Sequence, residues 1–288
     1  MRLKPFQSVN EMFKISVHAE LDFYVHQPSG YLSNFVKMIW GSKGIPNFLE
    51  ERVIPDGASL LLFNFGKPVK SFKNQAELTI KKCVFGGVLT GFSSMVYSSQ
   101  EAVHEQIGVI FLPGRAYPFV NDSMDEFKDL VVDATLLTKS NYEQIHEHLG
   151  ELTAIPERII LLESLLCGML QKNDTSPLCW DFIELIKNRM NLNTERIIQK
   201  TGYSHQYVNK IMRHQVGINV KGLQSIFRGT SALQLLKKNN EESFASIAHC
   251  LNYYDQAHFI HSMKKMTGFT PKELQLLQQP TTSRIFYL

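Results

Sequence analysis

Cysteine is scarce in this chain and nowhere gathered. Cys83, Cys167, Cys179 and Cys250 are scattered through 288 residues, with no CxxC pair and no Cys/His cluster at zinc-finger spacing. That pattern excludes a disulfide scaffold or a small zinc module and reads as reduced thiols in a cytoplasmic protein. Long apolar runs are missing too. None approaches the roughly 18 residues a membrane helix needs, and the opening MRLKPFQSVNEMFKIS is too polar for a signal peptide, so no membrane partner is expected. The chemical motifs of common enzymes are absent: no GxSxG, no P-loop, no dinucleotide-binding glycine pattern after a strand, no HExxH. His146 and His148 lie two apart on a predicted helix, pointing in different directions, and do not suggest a shared metal. No cofactor is expected, and an enzyme built on the first half is the disfavoured reading.

Charge is unevenly distributed. The total is +3, but residues 1–176 hold 16 Lys and Arg against 20 Asp and Glu, whereas residues 177–280 hold 13 against 7. A basic half following an acidic one points to an anionic partner for the basic half. The length accommodates two domains, each with its own core. We place the first at residues 1–172 and the second at 178–280, joined by the polar, turn-prone QKNDTSP (Gln171–Pro177).

The first half reads as strands from about Leu21 to Val120. FVKMIWG, ASLLLFNFG, LTIKKCVFGG and IGVIFLPG are short apolar runs separated by Gly, Pro and Asn, and Pro55-Asp56-Gly57 suits a tight turn. Many short strands favour a β-barrel or sandwich. Two helices are expected after it, about Thr138–Leu149 and Pro156–Gln171. The second aligns Ile159, Leu162, Leu166 and Leu170 on one face, either to cap the β core or to pair with its copy in a homodimer. In the loop Pro113–Phe119, Arg115 stands beside two aromatics. It is either a ligand-binding guanidinium for an anion or carboxylate, or a structural salt-bridge partner.

The second half is helical and contains a duplication. IIQKTGYSHQYVNKIMRHQVGIN (Ile197–Asn219) is echoed by IAHCLNYYDQAHFIHSMKKMTGFT (Ile247–Thr270), with Ile197, Gly202 and Tyr203 matching Ile247, Asn252 and Tyr253. Beyond the turn the offset grows by one, so that Val208, Met212 and Gly217 match Phe259, Met263 and Gly268. Each copy has two short helices joined at a Gly or Asn, the pattern of a helix-turn-helix. With Val208, Ile211 and Met212 inward, His205, Gln206, Asn209, Lys210 and Arg213 face outward; in the second copy Gln256, Ala257, Ile260, His261, Lys264 and Lys265 do so. Amides suit adenine, lysines suit guanine or phosphate, and apolar groups suit thymine methyls.

The repeat and the closing MKKMTGFTPKEL (Met263–Leu274) resemble the DNA-binding domain of the AraC/XylS family of bacterial transcription regulators, over about a hundred residues. PDGASLLLFNFG and IGVIFLPGRAYPF resemble the cupin-like sensor domains that precede it in some members. The resemblance implies an α+β chain: a β-barrel or sandwich with terminal helices, then an all-α double helix-turn-helix. It implies double-stranded promoter DNA as partner, together with RNA polymerase, a small-molecule effector and a homodimer. It also implies DNA-contacting roles for Gln206, Asn209, Lys210, Gln256, Ala257 and His261, with His205, Arg213, Arg228 and Lys264 beside them. A regulator whose first domain only dimerises or meets another protein is the alternative. Within the joining helix, Gly229-Thr230-Ser231 are weak helix formers, Gly costing about 1 kcal/mol relative to Ala, and predict a loosened connection to the second unit.

Overall fold

Alternating apolar residues in the first half build two facing sheets. The computed structural model describes residues 13–18, 21–46, 50–73, 76–97, 102–137, 141–170, 177–189, 192–238, 243–276 and 283–287; for 13–18, 238 and 283–287 only the backbone is considered. One sheet has the order β1 (Phe13–His18), β2 (Leu21–His26), β3 (Val36–Gly44), β10 (His104–Phe111), β5 (Leu60–Asn64), β8 (Cys83–Gly86), β11 (Val131–Asp133). The other has the order β12 (Ser283–Tyr287), β4 (Glu50–Ile54), β9 (Ser93–Tyr97), β6 (Val69–Lys73), β7 (Ala76–Ile80). The stretch LTIKKCVFGG is two strands, split at Lys81-Lys82. Beyond the expected strands, β1, β11 and β12 join the sheets, and β12 pairs in parallel with β4 from the far end of the chain.

Leu62, Val69, Ile80, Val84 and Met95 fill the space between the sheets. They leave a void of only about 30 Å³. On the outer face of the larger sheet lie α2 (Tyr142–Gly150) and α3 (Ile155–Met169), after the short α1 (Tyr117–Val120). Ile159, Leu162 and Leu166 are fully buried there with Phe35, Ile39 and Phe63, so this face of α3 caps its own sheet. It is therefore not available as a dimer surface. Leu170 lies just past the end of α3, because the helix stops at Met169. The expected linker lies, except for Pro177, outside the described residues.

The helical half comprises α4 (Pro177–Asn188), α5 (Thr194–Gln199), α6 (His205–Val216), α7 (Val220–Lys238), α8 (Phe244–Cys250), α9 (Gln256–Thr267) and α10 (Pro271–Leu276). It has two cores, one per repeat copy. Phe182, Ile197, Val208, Met212 and Leu223 form the first, and the β domain contributes Val88 to it. Ala232, Leu236, Ile247, Phe259 and Met263 form the second, and the β domain contributes Ile54. Both cores thus close on the β domain.

The loosened joining helix is not found. α7 runs unbroken through Gly229-Thr230-Ser231. A Cβ at Gly229 would stand 2.1 Å from the Sδ of Met266 on α9, so the glycine lets the two helices meet. Tertiary contact outweighs intrinsic propensity here. Helix propensity alone predicts that Gly229→Ala stabilises the protein by about 1 kcal/mol. The packing predicts the opposite, a loss of about 1–3 kcal/mol as the buried Met266 is displaced, read as a lowered urea unfolding midpoint.

Candidate nucleic-acid interface

Each repeat copy shapes its outer helix with the same devices. In the first, Asn193 Oδ1 accepts the Arg196 N–H at 2.9 Å to start α5, and the turn follows at Gly202. Ser204 Oγ then accepts the Tyr207 N–H at 3.2 Å to start α6. In the second, Ser243 Oγ accepts the Ser246 N–H at 3.1 Å, Asn252 takes the left-handed turn conformation at φ 57°, and Asp255 Oδ1 accepts the His258 N–H at 2.6 Å. These side chains satisfy amide donors that a helix start leaves without partners. Asn, like Gly, is tolerated where φ is positive.

The outward faces follow. On α6, Val208, Met212 and Val216 are buried while His205, Gln206, Lys210 and Arg213 are exposed. On α9, Phe259, Met263 and Met266 are buried while Gln256, Ala257, His261, Lys264 and Lys265 are exposed. Ile260 is half-buried, packed against the second core.

Two of the sequence-derived candidates are engaged inside the protein. Asn209 is half-buried: its Nδ2 donates to the His205 carbonyl at 3.0 Å, and its Oδ1 accepts the Val220 N–H at 3.2 Å. It ties α6 to the start of α7. Arg228 donates from Nη1 to the Asn252 carbonyl at 3.2 Å, and its guanidinium lies 5.4 Å from the Tyr253 ring. It holds the second turn from behind rather than joining either exposed face.

Arg115 lies elsewhere, in a cleft of about 500 Å³ between the β domain and α4 and α7. Its guanidinium is 3.3 Å from the centre of the Trp180 ring, and burial pulls its pKa down to about 10, which leaves it cationic at neutral pH. It makes no salt bridge among the described residues. Lys37, Lys187 and Lys237 also line the cleft, against Asp56 and Glu184, and Lys37 pairs with Asp56 at 3.2 Å.

Sequence reasoning overlooked the residues that join the two halves. His214, on the last turn of α6, packs against Tyr117 with ring centres 5.0 Å apart and the planes tilted by 56°, and has Nε2 3.2 Å from the Tyr117 hydroxyl. Its Nδ1 is 2.9 Å from Ser123 Oγ, whose proton goes to Asp125. Nδ1 is thus the donor to the Ser123 hydroxyl oxygen. Arg52, on β4, lies 4.3 Å from the centre of the Phe269 ring and donates to the Thr267 carbonyl at 3.4 Å. Periodicity shows an element's buried side, not which partner it meets, and nothing else in the sequence marks these two.

Residues 197–276 match a family model described as a helix-turn-helix domain, and residues 24–133 match a domain of unknown function, DUF6597. Among solved structures, ToxT from Vibrio cholerae O395 bound to (E)-4-(8-methylnaphthalen-1-yl)but-3-enoic acid is 12% identical over 89% of this chain and 98% of that one, at a TM-score of 0.46. Unsaturated fatty acid-bound wild-type ToxT from strain SCE256 is 14% identical over 90% and 96%, at 0.45. The C-terminal domain of AraT, a response regulator from Geobacillus stearothermophilus, is 22% identical over 37% of this chain and 89% of that one, at 0.34. No curated protein matches in sequence.

Because Asn209 bridges two helices, Asn209→Ala is expected to lower stability by about 1 kcal/mol in chemical denaturation. The exposed Gln206→Ala is expected to stay within about 0.5 kcal/mol of the parent.

Proposed function

We propose that this chain is an AraC-type helix-turn-helix transcription regulator and that it recognises a specific promoter sequence with α6 and α9 as its two reading helices. One observation carries the reading: in both copies a capped helix start leads into an exposed polar face on the basic half of the chain. In a helix-turn-helix the second helix enters the major groove and its N-terminal residues meet base edges. Gln206 and Lys210 on α6, and Gln256, Ala257 and His261 on α9, are the base readers. His205, Arg213 and Lys264 hold the flanking phosphates. Asn209 and Arg228 contribute by fixing the geometry of the two units, Asn209 through the start of α7 and Arg228 through the Asn252 turn. The regulator works as a homodimer in contact with RNA polymerase, using surfaces other than the inner face of α3.

For control, the reading extends to a small anionic effector in the cleft at Arg115. There a cation that makes no salt bridge among the described residues meets three lysines and apolar walls from Ile183 and Phe227, with Asp56 and Glu184 also on the lining. The second reading, a β domain without a small ligand, is favoured by the filled space between the sheets, where 30 Å³ admits no effector. Native mass spectrometry of the full-length protein from producing cells separates the two. A bound small anion present on the parent and lost from Arg115→Ala supports the effector; a ligand-free parent supports the second reading.

DNA recognition is tested on a duplex that the full-length protein selects from a random pool. Gln206→Ala is expected to cost about 1–3 kcal/mol at particular base pairs. Lys264→Ala is expected to weaken all sequences alike and to lower the slope of log affinity against log salt by about 1. If no duplex is enriched over random DNA, the proposal fails.

A further inference from the structure

The second repeat copy has one residue more than the first, and the structure identifies which. Tyr253 takes the place of Tyr203, and Asp255 takes the place of Ser204 as the cap of the outer helix. The aromatic pair linking turn to helix is kept in both copies: Tyr203 stacks on Tyr207 with centres 5.2 Å apart, and Tyr253 meets His258 edge-on at 5.4 Å. The residue with no counterpart is Tyr254. It is 92% exposed, the highest value for a large side chain with apolar surface among the described residues.

The backbone around this side chain is nonetheless held. The Tyr254 N–H donates to His258 Nδ1 at 3.3 Å, and Arg228 grips the Asn252 carbonyl two residues earlier. The ring itself adds nothing to either core. Its position is one step before the cap of α9. Gln256 and Ala257 at the start of that helix lead toward the bases, so the preceding residue stands at the edge of the groove, where the sugar-phosphate chain passes.

We propose that Tyr254 is a DNA-contacting residue whose phenolic hydroxyl donates to a backbone phosphate beside the second half-site. The inference rests on α9 being a reading helix. A neutral phenol displaces no condensed counterion, so it adds affinity without adding to the salt dependence, unlike a lysine.

The test measures equilibrium binding of the full-length protein to the selected duplex and to a random duplex over a range of salt. Tyr254→Ala and Tyr254→Phe are both expected to weaken binding on the order of tenfold on each duplex, with an unchanged salt slope and an unchanged unfolding midpoint. Tyr254→Phe binding as tightly as the parent overturns the proposal, because only the hydroxyl has been removed. Gln256→Ala and Lys264→Ala run alongside as controls. If they lose affinity and the tyrosine variants do not, this proposal alone fails. If all four variants bind like the parent, the reading of α9 fails with it.

Discussion

Both α6 and α9 end in a glycine with a left-handed backbone, and both glycines are pressed against the β domain. Gly217 closes α6 at φ 91°, where a Cβ would come within 2.7 Å of the Met124 carbonyl oxygen. Gly268 closes α9 at φ 80°, with Arg52 and Phe92 at 2.7 and 2.9 Å from the same hypothetical atom. A residue with a side chain would be strained in that conformation and would also collide. The duplication thus places one structural device twice, and the β domain uses it twice. Together with Val88 in the first helical core and Ile54 in the second, these contacts tie α6 and α9 to the same β domain.

This arrangement gives the seam its weight. The void between the sheets is too small for a ligand, whereas the seam contains a cleft with a desolvated guanidinium. A molecule bound there would meet α4 and α7 directly, and α7 carries both Arg228, which grips the second turn, and Gly229, which admits α9. Each unit is also fastened to the β domain directly, the first through His214 to Tyr117 and Ser123 and the second through Thr267 and Phe269 to Arg52.

Much of this was legible in the sequence, for identifiable reasons. The repeat reveals the two helix-turn-helix units because short helices with a cap, a turn residue and a buried triad leave a pattern at fixed spacing, and Ser204, Asn252 and Asp255 take the roles their types suggest. Two candidates read less well. Asn209 has the right chemistry on an outer helix but is turned half inward, toward Val220, which spacing along one helix does not reveal. Gly229 looked like a weakness because propensity treats a helix in isolation, whereas its partner Met266 lies 37 residues away in the chain. The seam was illegible for the same reason: His214 and Arg52 act on segments 91 and 215 residues distant.

The parallel pairing of β12 with β4 changes what kind of object the helical half is. Ser283–Tyr287 lies beside Glu50–Ile54, the strand that bears Arg52 and Ile54. The chain leaves the β domain after α3 and comes back to it at β12, so the helical half is an excursion within a β sheet rather than an appendage. Severing the backbone between α3 and α4 would leave the two parts joined through a sheet edge. A force applied to α6 or α9 would reach the β domain along two routes at once, the chain through α4 and α3 and the hydrogen-bonded pairing of β12 with β4.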